Sequence, residues 1–354
     1  MTSPSWLQTE FTKRLGVSIP LIQAPMAGGA TTPELVAAVS NTGAVGSFAA
    51  GMLSPENLRK KIREIRHLTR RPFNVNLQLM EMPRQTISIA YIEKLKEYER
   101  TVGFALSMEM EPLPSLEKQA AVLLEEEIPI VSFVFGLLPL ALLKEFHKKN
   151  AILLGTATHP AEALALQESG VDFIICQGKE AGGHRGTFIG QVGDGLIPTM
   201  ELVRSVHSQC KKPLIAAGGI MNGKQIRSAL HAGASAVQMG TAFLCCNESG
   251  LDPAHKKALL HEKTRKTVLS KAYSGKWARC IENQFIKEMV SIESDIPPYP
   301  LAQFLTKPLR RAAIASNNPE FMNLYAGEHF PECEPLAAQE LIARLTLELQ
   351  NHSS

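Results

Sequence analysis

Eight short apolar runs recur along this chain, at 20–25, 44–49, 73–77, 129–134, 151–155, 171–176, 213–217 and 236–239, and an amphipathic stretch follows each. Their hydrophobicity is nearly continuous rather than alternating, as expected of strands covered on both faces. Eight strand–helix repeats predict an α/β fold in which a parallel sheet closes on itself as a TIM (β/α)8 barrel. The linking stretches carry helix punctuation. Thr32-Pro33-Glu34 and Ser54-Pro55-Glu56 place a capping residue before a proline and an acid, a start signal. Gly43, Gly170 and Gly233 follow helical stretches and mark their ends.

The alternation is interrupted twice, by an extra helical stretch near 115–127 and by the long segment 245–317 after the eighth run. A chain of 354 residues accommodates one large barrel with an accessory segment. The reading is therefore a barrel over 1–244, completed by C-terminal helices at 318–354, with 245–317 inserted as a lid over the site. The tail at 334–350 reads as one amphipathic helix. An apolar share of 45% with 20% charged residues argues against extensive disorder. The net charge of +3, with no basic stripe interleaved with aromatics, gives no reason to expect nucleic acid as a partner. The apolar stretch 133–143 is broken by Gly136 and Pro139 and is too short to span a bilayer, so it reads as a buried strand running into a helix. The first ten residues lack the basic start and apolar stretch of an export signal. None of the six cysteines forms a Cys-x-x-Cys pair, and Cys245 and Cys246 are adjacent. That suits neither a disulfide framework nor a zinc site, so buried thiols and a cytoplasmic location are expected.

In such barrels chemistry collects in the loops after the strands, at their C-terminal ends. Three polar or glycine-rich segments fall there: Ala24-Pro25-Met26-Ala-Gly-Gly29, Asn74-Val-Asn76-Leu-Gln78, and Gln177-Gly-Lys-Glu-Ala-Gly-Gly-His-Arg-Gly186. The last places one imidazole, His184, among four glycines that let the backbone turn sharply and approach a ligand closely, and imidazole exchanges protons near neutral pH. Of the ten histidines, His67, His147, His207, His231 and His261 lie in polar helical patterns and read as solvated. Two further loops, Gly218-Gly219-Ile-Met-Asn-Gly223 and Gln238-Met239-Gly240-Thr241-Ala242, follow the seventh and eighth strands, where barrels often hold a phosphate on backbone N–H groups. No Gly-x-x-x-x-Gly-Lys-Ser/Thr element is present, and no Gly-x-Gly-x-x-Gly follows the first strand, which disfavours nucleotide hydrolysis and a separate dinucleotide domain. Met26, Asn76, Gln177 and Gln238 offer amides and a thioether. Amides can donate to and accept from the pyrimidine edge of a flavin, whereas a divalent metal needs grouped carboxylates or histidines; no metal is expected.

With these segments in view, the chain resembles the nitronate monooxygenases, formerly 2-nitropropane dioxygenases. The likeness rests on Gln23-Ala-Pro-Met-Ala-Gly, the Asn-x-Asn ending at Asn76, the Gly-Gly-His-Arg-Gly loop, Ala217-Gly-Gly-Ile and Gln238-Met-Gly-Thr. Tyr273-Ser-Gly-Lys276 and Tyr299-Pro300 extend it into the insertion. The resemblance implies a TIM-barrel flavoprotein with non-covalent FMN. Such an enzyme oxidises alkyl nitronates such as propionate 3-nitronate with O2 to a carbonyl compound and nitrite, a detoxification that needs no reduced nicotinamide. Asn76, Gln177, Gly182, Gly219 and Gln238 through Thr241, with Met239 and Gly240, would hold FMN, beside Ala24, Pro25, Met26, Gly183 and Gly218. His184 would be the active-site histidine, either donating to nitronate oxygens or removing an α-proton from a nitroalkane as general base. An FMN-dependent enoyl-ACP reductase using NAD(P)H has a similar Gly-Gly-His loop, but Arg185 after the histidine favours the monooxygenases. A barrel that binds FMN without turnover is the third reading. Lys179 stands where relatives often carry a bulky apolar or aromatic residue. Lys179 and Arg185 would make the loop electropositive, and Tyr299 and Lys307 are candidate substrate contacts. The oligomeric state is not legible in the sequence.

Overall fold

The protein is described here by a computed structural model over residues 5–350. Its strands, in chain order, are β1 (Leu21–Gln23), β2 (Ser47–Ala49), β3 (Asn74–Gln78), β4 (Ile130–Val134), β5 (Ile152–Ala157), β6 (Phe173–Gln177), β7 (Gly183–His184), β8 (Leu214–Ala217), β9 (Ala234–Met239), β10 (Thr267–Ser270) and β11 (Ala278–Ile281). Eight of them form one parallel sheet in the order β1-β9-β8-β6-β5-β4-β3-β2, one strand at each of the eight apolar runs. The ends of that sheet meet. Ile22 bridges Val45 in parallel, with Gln23 N–H donating to Val45 O and Val45 N–H to Leu21 O, both at 2.9 Å. The chain is thus a closed TIM barrel.

The interior is apolar. Ile22, Ile130, Leu154, Phe173, Ile175 and Ile215 fill it, and the helix Glu10–Leu15 contributes Phe11 and Leu15 to the same cluster. Phe11 meets Phe173 edge-on at 5.7 Å between centroids, a favoured aromatic geometry. A second, larger apolar layer lies between the sheet and the surrounding helices. The capping signals operate as written. The hydroxyls of Thr32 and Ser54 accept from Leu35 N–H and Asn57 N–H at 3.0 and 3.2 Å, and Gly170 ends its helix at φ +97°. All six cysteines are buried and free. Among the described residues no helix is long and apolar enough to cross a membrane.

The first interruption is larger than its sequence signal. Besides Leu116–Glu125 it contains a helix, Ile89–Tyr98, running into a π-turn at Glu99–Gly103. That helix buries Tyr91, Leu95 and Tyr98 and is tied to the segment after β9: Ser88 Oγ donates to Asp295, and the Tyr98 hydroxyl to Glu288, both at 2.7 Å. The last helix is Ala338–Gln350, starting later than its amphipathic pattern, at the point where Ala337 N–H donates to the Glu340 carboxylate and Ala338 N–H to that of Glu248. After β9 the chain forms the helix Pro253–His261, the β10–β11 hairpin, and the helices Gln284–Met289, Leu301–Leu305 and Lys307–Ala315. The hairpin does not stand alone. β11 pairs antiparallel with β7, Ala278 opposite His184 and Arg279 opposite Gly183, so this segment is bonded into the loop that bears the histidine.

Gly46, which leads into β2, marks a close helix–sheet approach. A Cβ there would stand 2.2 Å from Val36 O and 2.7 Å from Val36 Cα, backbone atoms that cannot rotate away. Gly46→Ala is expected to destabilise the fold by about 1–3 kcal/mol, the usual cost of overpacking, read as a lowered urea midpoint; an unchanged midpoint would show that the helix Pro33–Asn41 shifts freely.

Candidate active site

A cavity of about 320 Å³ opens at the C-terminal ends of the barrel strands, within the ~300–1,000 Å³ range of small-molecule sites. Its border includes Ala24, Pro25, Met26, Asn76, Gln177, Gly182, Gly183, His184, Gly218, Gly219, Gln238, Met239, Gly240 and Thr241. Residues from the C-terminal parts of five barrel strands and the loops after them are thus brought to one place.

The floor is built on buried polar bonds, which explains why amides interrupt apolar runs. Gln23 is fully buried. Its Oε1 accepts from Ser47 N–H at 3.0 Å and its Nε2 reaches Thr31 Oγ1 at 3.3 Å, while Thr31 Oγ1 accepts from Met26 N–H at 2.9 Å. The turn presenting Met26 is thereby fixed from below. Asn74 Nδ2 donates to Ser47 and Ser132 at 3.0 and 2.8 Å. Asn76 Nδ2 donates to the same Ser132 hydroxyl at 2.9 Å, leaving its Oδ1 as the free acceptor. Gln238 Oε1 is buried with no partner among the described residues. Such orphaned acceptors are uncommon in native proteins, and one bordering a cavity suits a ligand donor. Glycine is required on the far wall. Gly218 and Gly219 lie at φ +120° and +66°, and a Cβ on Gly219 would strike Glu180 Cβ at 2.9 Å. His329 holds the Gly219 carbonyl through Nδ1 at 2.6 Å.

The histidine loop is braced at several points. Gln177 donates through Nε2 to His184 O at 3.0 Å and accepts at Oε1 from Gly186 N–H at 2.8 Å, so both ends of its amide hold backbone. The buried Glu162 carboxylate accepts from Thr158 and Ile189 N–H at 2.6 and 2.9 Å. His184 Nε2 lies 2.9 Å from Ser274 Oγ, which is 3.1 Å from Lys276 O. A carbonyl only accepts, so the hydroxyl directs its proton there. Nε2 of His184 then carries the ring proton, and Nδ1 is the bare acceptor, an assignment made from the bonding pattern. Tyr325, Tyr299 and Phe135 surround the ring at 5.2, 5.4 and 6.2 Å between centroids. Phe135 is held at φ +77°, a strained conformation for a non-glycine residue that tends to occur at functional sites. Burial, then the nearby Lys276 and Arg310 cations, push the His184 pKa down to about 3, so the ring is neutral at physiological pH.

The four residues expected to meet substrate fare differently. Arg185 turns away from the cavity. Its guanidinium is buried and donates to the carbonyls of Gly178, Gln177 and Gly195 at 2.6, 2.9 and 2.8 Å, so it is a loop brace rather than a surface charge. Lys179 does not border the cavity; its backbone is held by Ile197 O and by Arg279 at 2.8 and 2.9 Å. Lys307, also away from the border, pairs with Glu111. Tyr299 alone comes close, its ring against His184 and its hydroxyl 3.3 Å from Gln78 Oε1. Sequence reasoning missed Phe135, His255, Gln303, Arg310, Asn323, Tyr325 and His329, all on the cavity border. Of these, His255 is 6% exposed, its Nε2 has no partner among the described residues, and burial pushes its pKa down to about 4.

The barrel and this cavity, with a neutral, tethered imidazole between glycine loops and orphaned amide acceptors, define an α/β-barrel enzyme site. The nitronate monooxygenase family model matches residues 9–348, and the chain belongs to that family of oxidoreductases. It is 36% identical over 348 residues to a probable nitronate monooxygenase of Bacillus subtilis (strain 168), covering 96% of this chain and 98% of that one. It is 35% identical to another from Staphylococcus haemolyticus, covering 91% and 92%. Among solved structures it matches nitroalkane oxidase from Streptomyces ansochromogenes with a TM-score of 0.90 at 36% identity, over 96% and 98% of the two chains. FabK from Thermotoga maritima matches with a TM-score of 0.78 at 27% identity, over 97% and 96%.

The two enclosed imidazoles, His184 and His255, also set a pH dependence. Both folded-state values lie below the 6.5 of an unperturbed histidine, so the unfolded chain takes up protons first on acidification. Stability therefore falls as pH drops below about 6.5 and continues to fall toward about 4. His255→Gln should flatten that slope, measured as urea midpoints between pH 7 and pH 4.5. An equally steep slope in the variant would mean that His255 does not resist protonation.

Proposed function

We propose that the protein is an FMN-dependent nitronate monooxygenase that takes alkyl nitronates such as propionate 3-nitronate, already ionised, and O2 to a carbonyl compound and nitrite. The observation that carries the reading is the state of His184. A general base works best with a pKa near the operating pH, and an imidazole pushed down to about 3 is a poor base toward a neutral nitroalkane. A substrate that arrives already ionised needs no such base. In the loop Nε2–H is engaged by Ser274 and Nδ1 is a bare acceptor, which offers the anion's oxygens no hydrogen bond, so the ring stands as an uncharged wall beside the substrate.

The residues present fit FMN. Asn76 Oδ1 and the unpartnered Gln238 Oε1 are acceptors for the donor positions of a flavin ring, with Ala24, Pro25 and Met26 along one wall. The loops bearing Gly218, Gly219, Gly240 and Thr241 suit its phosphate. Gln177, Gly182 and Gly183 would approach the ring as part of the braced loop. When bound, the flavin supplies redox chemistry that no side chain here has. The chain's own contribution is positional: the Phe135, Tyr299 and Tyr325 rings exclude water around His184, and the β7–β11 pairing holds the imidazole at the cavity border.

Oxygen uptake by the purified yellow protein tests the reading. Ethylnitronate is expected to drive rapid uptake, nitroethane at the same concentration much less, and NADH or NADPH should not bleach the flavin anaerobically. His184→Asn should keep the yellow colour and lose turnover. Bleaching by a nicotinamide with no nitronate-driven uptake would overturn the assignment in favour of a reductase, and equal rates with nitroethane and ethylnitronate would overturn the preference for the ionised form.

A further inference from the structure

A neutral His184 leaves the site without an obvious positive charge for an anion, yet one is present. Arg310, on the helix Lys307–Ala315, is the only Lys or Arg bordering the cavity among the described residues. Its guanidinium is held from behind: Nη2 donates to Gln303 O at 2.8 Å, and Nε contacts Thr306 Oγ1 at 3.3 Å. The Thr306 hydroxyl in turn lies 2.6 Å from Tyr273 O. No carboxylate pairs with Arg310 among the described residues, and Nη1 has no hydrogen-bond partner there. Asp252, the one carboxylate on the cavity border, caps its own helix through Ala254 N–H at 2.8 Å.

A sheltered cation without a counter-ion is costly, and an anion entering the cavity relieves that cost. The guanidinium fork is planar and always charged, and it matches two oxygens on a planar anion better than an ammonium does. The nitronate group presents two such oxygens. Arg310 also acts on the same place as the histidine, since its field is among the causes that hold the His184 ring neutral. Lys276, the other cation acting on that ring, is engaged by Thr187 O at 3.3 Å and stands 4.5 Å from the centre of the Phe135 ring.

We propose that Arg310 is the specificity-determining residue of the site, binding the paired oxygens of the nitronate anion and so selecting the ionised substrate over the neutral nitroalkane. This rests on the function proposed above, but it can be tested without turnover. Nitrate is a planar, unreactive anion of similar shape. Calorimetric titration of the purified holoprotein with sodium nitrate at constant ionic strength is expected to show binding at one site. Arg310→Gln should weaken it by ~10–100-fold, the range for losing a charge-assisted hydrogen bond. Arg310→Lys, which keeps the charge and loses the fork, should fall between the two. In steady state the KM for ethylnitronate should rise by a larger factor in Arg310→Gln than the KM for nitroethane, whereas a merely structural role would move both together.

No nitrate binding to the wild-type protein, or equal binding by Arg310→Gln, would overturn the proposal, as would equal losses toward charged and neutral compounds. If Arg310→Gln does not fold, Arg310→Lys decides alone: retained preference for the anion supports the proposal, and loss of that preference with the charge still present contradicts it. Nitrate binding that depends on Arg310 in a protein that consumes no O2 with ethylnitronate would reject the monooxygenase reading and leave the anion site standing.

Discussion

The site depends on one short piece of antiparallel pairing. β7 is only Gly183–His184, and a two-residue strand has no stability of its own. It exists because β11 lies against it, with Arg185 N–H donating to Trp277 O at 2.8 Å just beyond the pair. Through this contact the residues after β9 determine where an imidazole from the β6 loop stands. The barrel supplies the glycine loops and amide floor, the inserted segment supplies Ser274, Tyr299 and Arg310, and the β7–β11 pair sets the two in register. Loops on a rigid scaffold are where function usually resides; here two of them are locked together by a sheet.

The electrostatics follow from that enclosure. Packed among Phe135, Tyr299 and Tyr325 and flanked by cations, His184 cannot readily hold a proton, so the charge needed to attract an anion has to come from another group. Arg185 illustrates the other way a buried charge is accommodated. It is 1% exposed, and three backbone carbonyls accept from its two terminal nitrogens. Arg310 has only one carbonyl and a hydroxyl behind it, and its remaining edge is available. Two arginines with the same chemistry thus serve as a brace and as a receptor, according to what the surrounding backbone offers.

The barrel was legible in the sequence because its signals are local: each barrel strand is one apolar run, helices such as those at Pro33 and Pro55 begin at a capped proline, and several loops after the strands are rich in glycine. The floor was legible for a related reason, since Asn74 and Asn76 stand out inside an apolar run. The side built by the residues after β9 was not. Arg310 lies in Lys307-Pro-Leu-Arg-Arg311, which reads as a solvated basic turn, and only tertiary packing reveals that one of its cations faces inward while Lys307 pairs with Glu111. His255 occupies a helical position no different in pattern from the solvated His261. The error over Arg185 has the same origin, because a sequence does not record whether a charged side chain meets water or three carbonyls. Gln177 borders the cavity, yet its amide braces the loop, a role visible only once the loop is folded.

The central claim is that this cavity is built for one flavin mononucleotide, with phosphate at the glycine loops of β8 and β9 and the ring toward His184. Heat-denaturing the purified protein, separating the released chromophore by chromatography and weighing it by mass spectrometry tests that directly. The account predicts one FMN per chain, falling well below one when Gln238 is replaced by leucine. Release of FAD, or of no flavin from a protein reconstituted with excess FMN, would contradict it.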